Sequence, residues 1–164
     1  MSEIVSNYHV NEHTMALLPA TNFEYDTKVL ESNRQLFVKK TPIHLIKSAC
    51  LNGCSTYDGR RSAVTYQTGA QRKVPIPISP SKNLFTFPTC SPNEFNCHWI
   101  FYNHVHSIIP YHASHKSVVK SMIIFKNGQK LAMTESYYLL EKQMQRTAVC
   151  ILQYASFQHQ RFMI

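Results

Sequence analysis

A chain of 164 residues that is 44% hydrophobic and 16% charged carries enough apolar material for a core and too little charge to stay disordered. No run approaches the roughly 18 apolar residues of a membrane-spanning helix. Met1–Val10 holds Glu3 and no basic residue, so it does not read as a secretory signal, and five cysteines without compact spacing fit a reduced, cytoplasmic protein better than a disulfide scaffold.

The predicted elements follow in chain order. Tyr8 to Leu18 reads as a hairpin turning at Asn11-Glu12 and ended by Pro19. Thr27–Leu30 and Gln35–Lys40 read as a second hairpin across Ser32-Asn33-Arg34. Thr41 is placed as the N-cap of a helix with Pro42 in its first position; Ile43, Ile46 and Cys50 follow at helical spacing, and Asn52-Gly53 is the stop. Cys54 to Gly69 is polar and basic, which predicts a loop leading into a short strand at Ala63–Tyr66. Val74 to Pro80 has prolines at positions that admit only an edge strand or a connection. Leu84–Phe87 is a short strand, Thr89–Asn96 a loop, and His98–Ile109 one long strand. Val118–Phe125 and Gln129–Met133 flank Asn127-Gly128, the signal of a type I′ hairpin. Ser136 is placed as the cap of a last helix with Tyr137, Leu140, Met144, Ala148 and Ile151 on one face. That pattern weakens after Tyr154, which predicts a poorly packed tail from about residue 155.

These elements add up to a single α+β domain over residues 1–164. It is mainly an antiparallel sheet of short strands and hairpins, with one short helix near 42–51 and a C-terminal helix near 137–153.

Lysine and arginine number 17 against nine aspartates and glutamates, a formal net charge of +8, and the surplus is uneven. Residues 1–26 contain four acids and no lysine or arginine; the other 138 residues carry all 17 basic groups and five acids, a net of +12. Between Lys28 and Lys73 nine basic groups face two acids. Within that segment Tyr57-Asp-Gly-Arg-Arg61 sets two arginines after Gly59, whose backbone freedom suits a loop that enters a groove. Arginine fits the narrow, strongly negative minor groove of A·T-rich DNA, and lysines on flanking segments neutralise phosphates. The candidate DNA-contacting residues are therefore Tyr57, Gly59, Arg60 and Arg61, with Lys39, Lys40, Arg72 and Lys73 at phosphates. Charge alone does not separate such a face from a surface kept for solubility.

The residues offer two other chemistries. Cys50, Cys54, Cys90, Cys97 and His98, with His104, His106, His112 and His115, contain donors for zinc, but their spacings are loose, and Cys50 fits a buried helix position. A Cys–His pair could serve nucleophilic catalysis, yet there is no nucleophile elbow, phosphate loop or HExxH. A small Cys/His zinc- or thiol-dependent protein and a basic protein-interaction module remain the alternatives; no catalytic residue, metal or cofactor is expected.

An ordered set of segments adds a resemblance. It comprises Tyr8-His-Val-Asn11 with Ala16-Leu-Leu-Pro19, then Ser48 through Arg61, then Pro80-Ser-Lys-Asn-Leu-Phe-Thr-Phe-Pro-Thr89. Cys97-His-Trp-Ile100, His104-Val105, Phe125-Lys-Asn-Gly128, Ser136-Tyr137 and Glu141-Lys-Gln-Met-Gln-Arg-Thr-Ala148 follow in the same order. Together they resemble the competence transcription factor (ComK) family of Gram-positive bacteria. That resemblance implies a transcriptional activator of DNA-uptake genes. It implies a protein that binds paired A·T-rich boxes through the minor groove and assembles as a homodimer or higher oligomer on the site. RNA polymerase and the adaptor of a regulatory protease are the further partners it implies. Family members continue beyond this point into a Phe-Met-Leu-Tyr-Pro-like segment read by that adaptor. Phe162-Met-Ile164 matches only its start, and the expectation is altered proteolytic control or reduced activation.

Overall fold

A computed structural model describes residues 3–112 and 117–162, with side chains of the last helix described as far as Ala155. Its strands are β1 (Glu3–Val5), β2 (Thr14–Pro19), β3 (Thr27–Glu31), β4 (Gln35–Val38), β5 (Ile76–Ser79), β6 (Leu84–Pro88), β7 (Trp99–Phe101), β8 (Val105–Pro110), β9 (Ser121–Phe125) and β10 (Lys130–Met133). Its helices are α1 (Pro42–Asn52), α2 (Tyr57–Thr68) and α3 (Tyr137–Phe162), and short 3-10 turns occupy Pro80–Lys82 and Tyr102–His104.

Seven strands form one sheet in the order β1-β4-β3-β2-β7-β6-β5, antiparallel except for the β1–β4 pair, and β10-β9-β8 form a second, antiparallel sheet. The α+β class and the mainly antiparallel pairing agree with the sequence. The large sheet is buried on both faces. On one side Leu17, Val29, Trp99 and Phe101 pack against Leu45, Ile46 and Cys50 of α1. On the other, Ala16, Leu18, Leu30, Phe87 and Ile100 meet Ile108, Ile123 and Phe125 of the small sheet and Leu140 of α3. A third cluster, Val64, Val74, Phe85 and Cys150, joins α2 to α3 around β6. Pro77 lies in β5, which pairs only with β6, so its missing N–H breaks no central ladder.

Several sequence-based expectations are corrected. Residues 7–13 do not form a strand. The Tyr8 hydroxyl pairs with that of Thr14 at 2.7 Å, and Asn11 bonds the His9 carbonyl while accepting from the His13 N–H. Local side-chain bonds thus satisfy the backbone in place of a ladder. The partners of β2 are β3 and β7. The long strand 98–109 is broken at Tyr102–His104, and its halves, β7 and β8, belong to different sheets.

The β9–β10 turn is not type I′. Only Gly128 has positive φ, at 89°, and its N–H bonds Phe125 O, which is a type I turn closed by a left-handed glycine. The last helix runs on to Phe162 instead of ending near 153, while the packing expected of the tail lies outside the described side chains. Its buried stripe is also displaced. Leu140, Gln143, Thr147 and Cys150 are buried, and Ala148 is only half-buried.

The segment 54–69 holds neither a loop nor a strand but α2. The Thr56 hydroxyl accepts the Gly59 N–H at 2.9 Å, Asp58 sits in the first turn where the helix dipole favours an acid, and Gly69 at φ 79° ends it. Only Val64 of this helix is buried, so it has almost no apolar stripe to betray it.

Candidate nucleic-acid interface

A concave face that gathers four cations lies between α1, α2, the 70–74 connection and the 89–98 loop. It is a groove of about 890 Å³. Ile43 and Lys47 reach it from α1, Tyr57, Asp58 and Arg61 from α2, and Gln71, Arg72 and Lys73 from the connection; Cys90 to Glu94 form the far wall. Four cations (Lys47, Arg61, Arg72 and Lys73) share this space with two acids, Asp58 and Glu94.

Helical geometry explains the grouping. Lys47 is one turn beyond Ile43 on α1, and Arg61 one turn beyond Tyr57 on α2, so each pair shares a face. Tyr57 anchors the floor. Its ring meets Trp99 edge-on at 6.3 Å, and Lys47 Nζ lies 5.9 Å from its centroid. Burial pushes its hydroxyl pKa above the ordinary value, so it stays a neutral donor. Arg61 Nη2 donates to the Gln71 carbonyl at 2.7 Å and ties α2 to the connection.

The predicted residues therefore divide. Tyr57, Arg61, Arg72 and Lys73 come together in the groove. Arg60, one residue from Arg61, turns about 100° around the helix and donates through Nη2 to Gly53 O at 3.1 Å, at the end of α1. Gly59 is helical at negative φ, inside α2 and not in the expected loop. A Cβ there would lie 2.9 Å from Thr56 Oγ1, so the glycine makes room for the cap hydroxyl. Lys39 lines a separate hollow of about 590 Å³ beside Glu24, Tyr25 and Asp26. Lys40 is half-buried, its carbonyl accepting from Thr27 Oγ1 at 2.6 Å. Lys47, a member of the basic segment outside the candidate set, also reaches the groove; its spacing from Ile43 on the predicted helix is the signal that places it there.

Of the sulfur and imidazole groups, Cys90 and Cys97 lie side by side and no third ligand joins them among the described residues. Cys50 is buried in α1 and Cys54 exposed after it. Cys90 and Cys97 bond nearby oxygens, and burial raises both thiols. His104, at the end of a 3-10 turn, is bonded to Glu12 O, while His106 stands on β8, so the two do not share one strand face. His115 lies outside the described residues. Among the described residues no three His, Cys, Asp or Glu side chains gather as a metal site, and no helix is long and apolar enough to cross a membrane.

What the fold and the groove define is an α+β protein whose cationic cleft, set between two helices, is suited to an anionic partner. The chain belongs to the ComK family, whose ComK protein description it matches over residues 5–159. It is similar to the Competence transcription factor of Bacillus subtilis (strain 168), 30% identical over 145 residues that cover 88% of this chain and 73% of the relative. Membership makes it a transcription factor of the competence class. No solved structure matches the chain.

Proposed function

We propose that this protein activates DNA-uptake genes in the cytoplasm by gripping A·T-rich duplex DNA at the groove between α1 and α2. The observation that carries the reading is the convergence of Lys47, Arg61, Arg72 and Lys73 on one concave face. Arg61, at the mouth of α2, is the residue for the minor groove, where A·T tracts concentrate negative potential. Lys47, Arg72 and Lys73 neutralise the flanking phosphates, and Tyr57 gives the contact a rigid neutral floor. Asp58 and Glu94, on the same walls, repel a backbone that enters in the wrong register. Paired boxes call for two copies of the chain on one site.

The test is fluorescence anisotropy on A·T-box and G·C-rich duplexes across a salt series. Four cations against the duplex, Lys47, Arg72 and Lys73 at phosphates and Arg61 in the minor groove, give a log–log slope of about −4, with tighter binding to the A·T-box duplex. No binding at low salt ends the proposal.

A further inference from the structure

The two cations of the 70–74 connection sit on an unusual piece of backbone. Lys73 has φ +51°, in the left-handed region that residues with a side chain seldom hold unaided. Three successive carbonyls of this segment are taken by side chains from other elements. Gln71 O accepts from Arg61 Nη2 at 2.7 Å, Arg72 O from Arg146 Nη2 at 2.6 Å, and Lys73 O from Gln143 Nε2 at 2.8 Å.

The α3 half of this clamp is itself built. Gln143 is 3% exposed, and its amide also donates to Pro88 O at 2.7 Å. Its Oε1 accepts from Arg146 Nη1 at 2.8 Å. Burial lowers the Arg146 pKa from its ordinary value, yet an arginine remains charged at neutral pH. A buried amide with both N–H donors and its oxygen engaged, in a stripe shared with Leu140, Thr147 and Cys150, is a costly choice for packing alone. What it holds is the shape of the connection.

We infer that Gln143 and Arg146 of α3 are positioning residues for DNA binding, which hold the Arg72–Lys73 backbone so that both cations line the groove, without touching DNA themselves. This rests on the proposed DNA reading. It ties the long C-terminal helix, whose packing partners are β6, β8 and α2, to the affinity of a site on the opposite side of the connection. Without the clamp, Lys73 relaxes to negative φ, and the two charges no longer point into one cleft.

The test is a double-mutant cycle on the full chain. Anisotropy with a fluorescein-labelled A·T-rich duplex is measured across salt for Gln143→Leu, for Arg72→Ala/Lys73→Ala, and for all three together. Gln143→Leu is expected to weaken binding roughly tenfold and to make the salt slope shallower by about 1 to 2, the share of two phosphate contacts. In the Arg72→Ala/Lys73→Ala background the same substitution is expected to change neither affinity nor slope. Thermal unfolding checks that each variant is folded. If Gln143→Leu is not, Arg146→Met, which keeps the stem and removes one carbonyl donor, takes its place with a slope change in the same direction. Equal losses in both backgrounds, or wild-type binding by the single variant, overturn the positioning role while leaving the DNA reading standing. A wild-type chain that does not bind the duplex overturns both.

Discussion

Replacing Arg60 and Arg61 by alanine one at a time separates a fold contact from a groove contact. Arg60 donates one charge-assisted hydrogen bond to the last carbonyl region of α1, at Gly53 O, and its Nε is buried with no acceptor among the described residues. A bond from a charged donor contributes about 1.5 to 3 kcal/mol, and the unpaired Nε offsets about 1 to 3 of it. The aliphatic stem adds packing between α1 and α2 that alanine loses. The net expectation for Arg60→Ala is a loss of about 1 to 2 kcal/mol, and for a chain of this length a fall in Tm of about 2 to 8 °C. Its DNA salt slope stays that of the wild type. Arg61→Ala does the reverse. Its bond to Gln71 is exposed, so stability changes by about 0.5 kcal/mol or less. Its DNA slope becomes shallower by about 1, and preference for A·T-box over G·C-rich duplex falls. Differential scanning fluorimetry and salt-dependent anisotropy on the same preparations read both. Wild-type Tm together with lost A·T preference in Arg60→Ala would refute the reasoning, because it would place that guanidinium at DNA.

Thr56→Ala removes the hydroxyl that caps α2 and should cost about 1 kcal/mol, read by urea unfolding, with a smaller helical signal in circular dichroism; no change in either measurement contradicts the cap. Gly53→Ala puts a Cβ 2.9 Å from the backbone oxygen of Ile78, so the α1–β5 contact must shift; a loss of about 1 to 3 kcal/mol is expected, and a neutral result means the helix end moves freely. Alkaline pH should unfold the protein in a defined window. Burial raises the Cys50 and Cys150 thiols to about 11 and the Tyr8 hydroxyl to about 12. The unfolded chain therefore releases these protons first, and the stability present below about pH 9 is lost as pH rises toward 11 and 12. The double variant Cys50→Ala/Cys150→Ala should show a flatter fall between pH 9 and 11, and an unchanged slope would remove the thiols from the account.

Elements with a strong local code were legible. The Thr41-Pro42 cap, the 27–38 hairpin, the edge character of Val74 to Pro80 and the 121–133 hairpin all rest on short-range rules of capping, turn chemistry and proline. Where tertiary contact decided the outcome, the same rules misled. Helix α2 buries a single residue, so apolar periodicity was silent, and the polar run from Cys54 looked like a loop although Thr56 and Gly69 marked both its ends. The break at Tyr102–His104 follows from two sheets sharing one core, which β-propensity along 98–109 does not encode.

The candidate site carries the same lesson into function. Counting charge located the basic segment between Lys28 and Lys73 but could not say which of its members share a surface. As a loop, Gly59-Arg60-Arg61 would aim two guanidiniums at one target; as a helix, it sends one to the fold and one to the groove. The residues that hold Arg72 and Lys73 in place lie 70 and more positions further along the chain. In the sequence neither Gln143 nor Arg146 falls among Tyr137, Leu140, Met144, Ala148 and Ile151, the face expected to be buried. A buried glutamine is informative only once its acceptors are known, and here those acceptors are the backbone of the cationic connection itself. On the proposed reading the affinity of the groove depends on a helix that contributes no residue to its lining, and a scan confined to the lining side chains would miss Gln143 and Arg146.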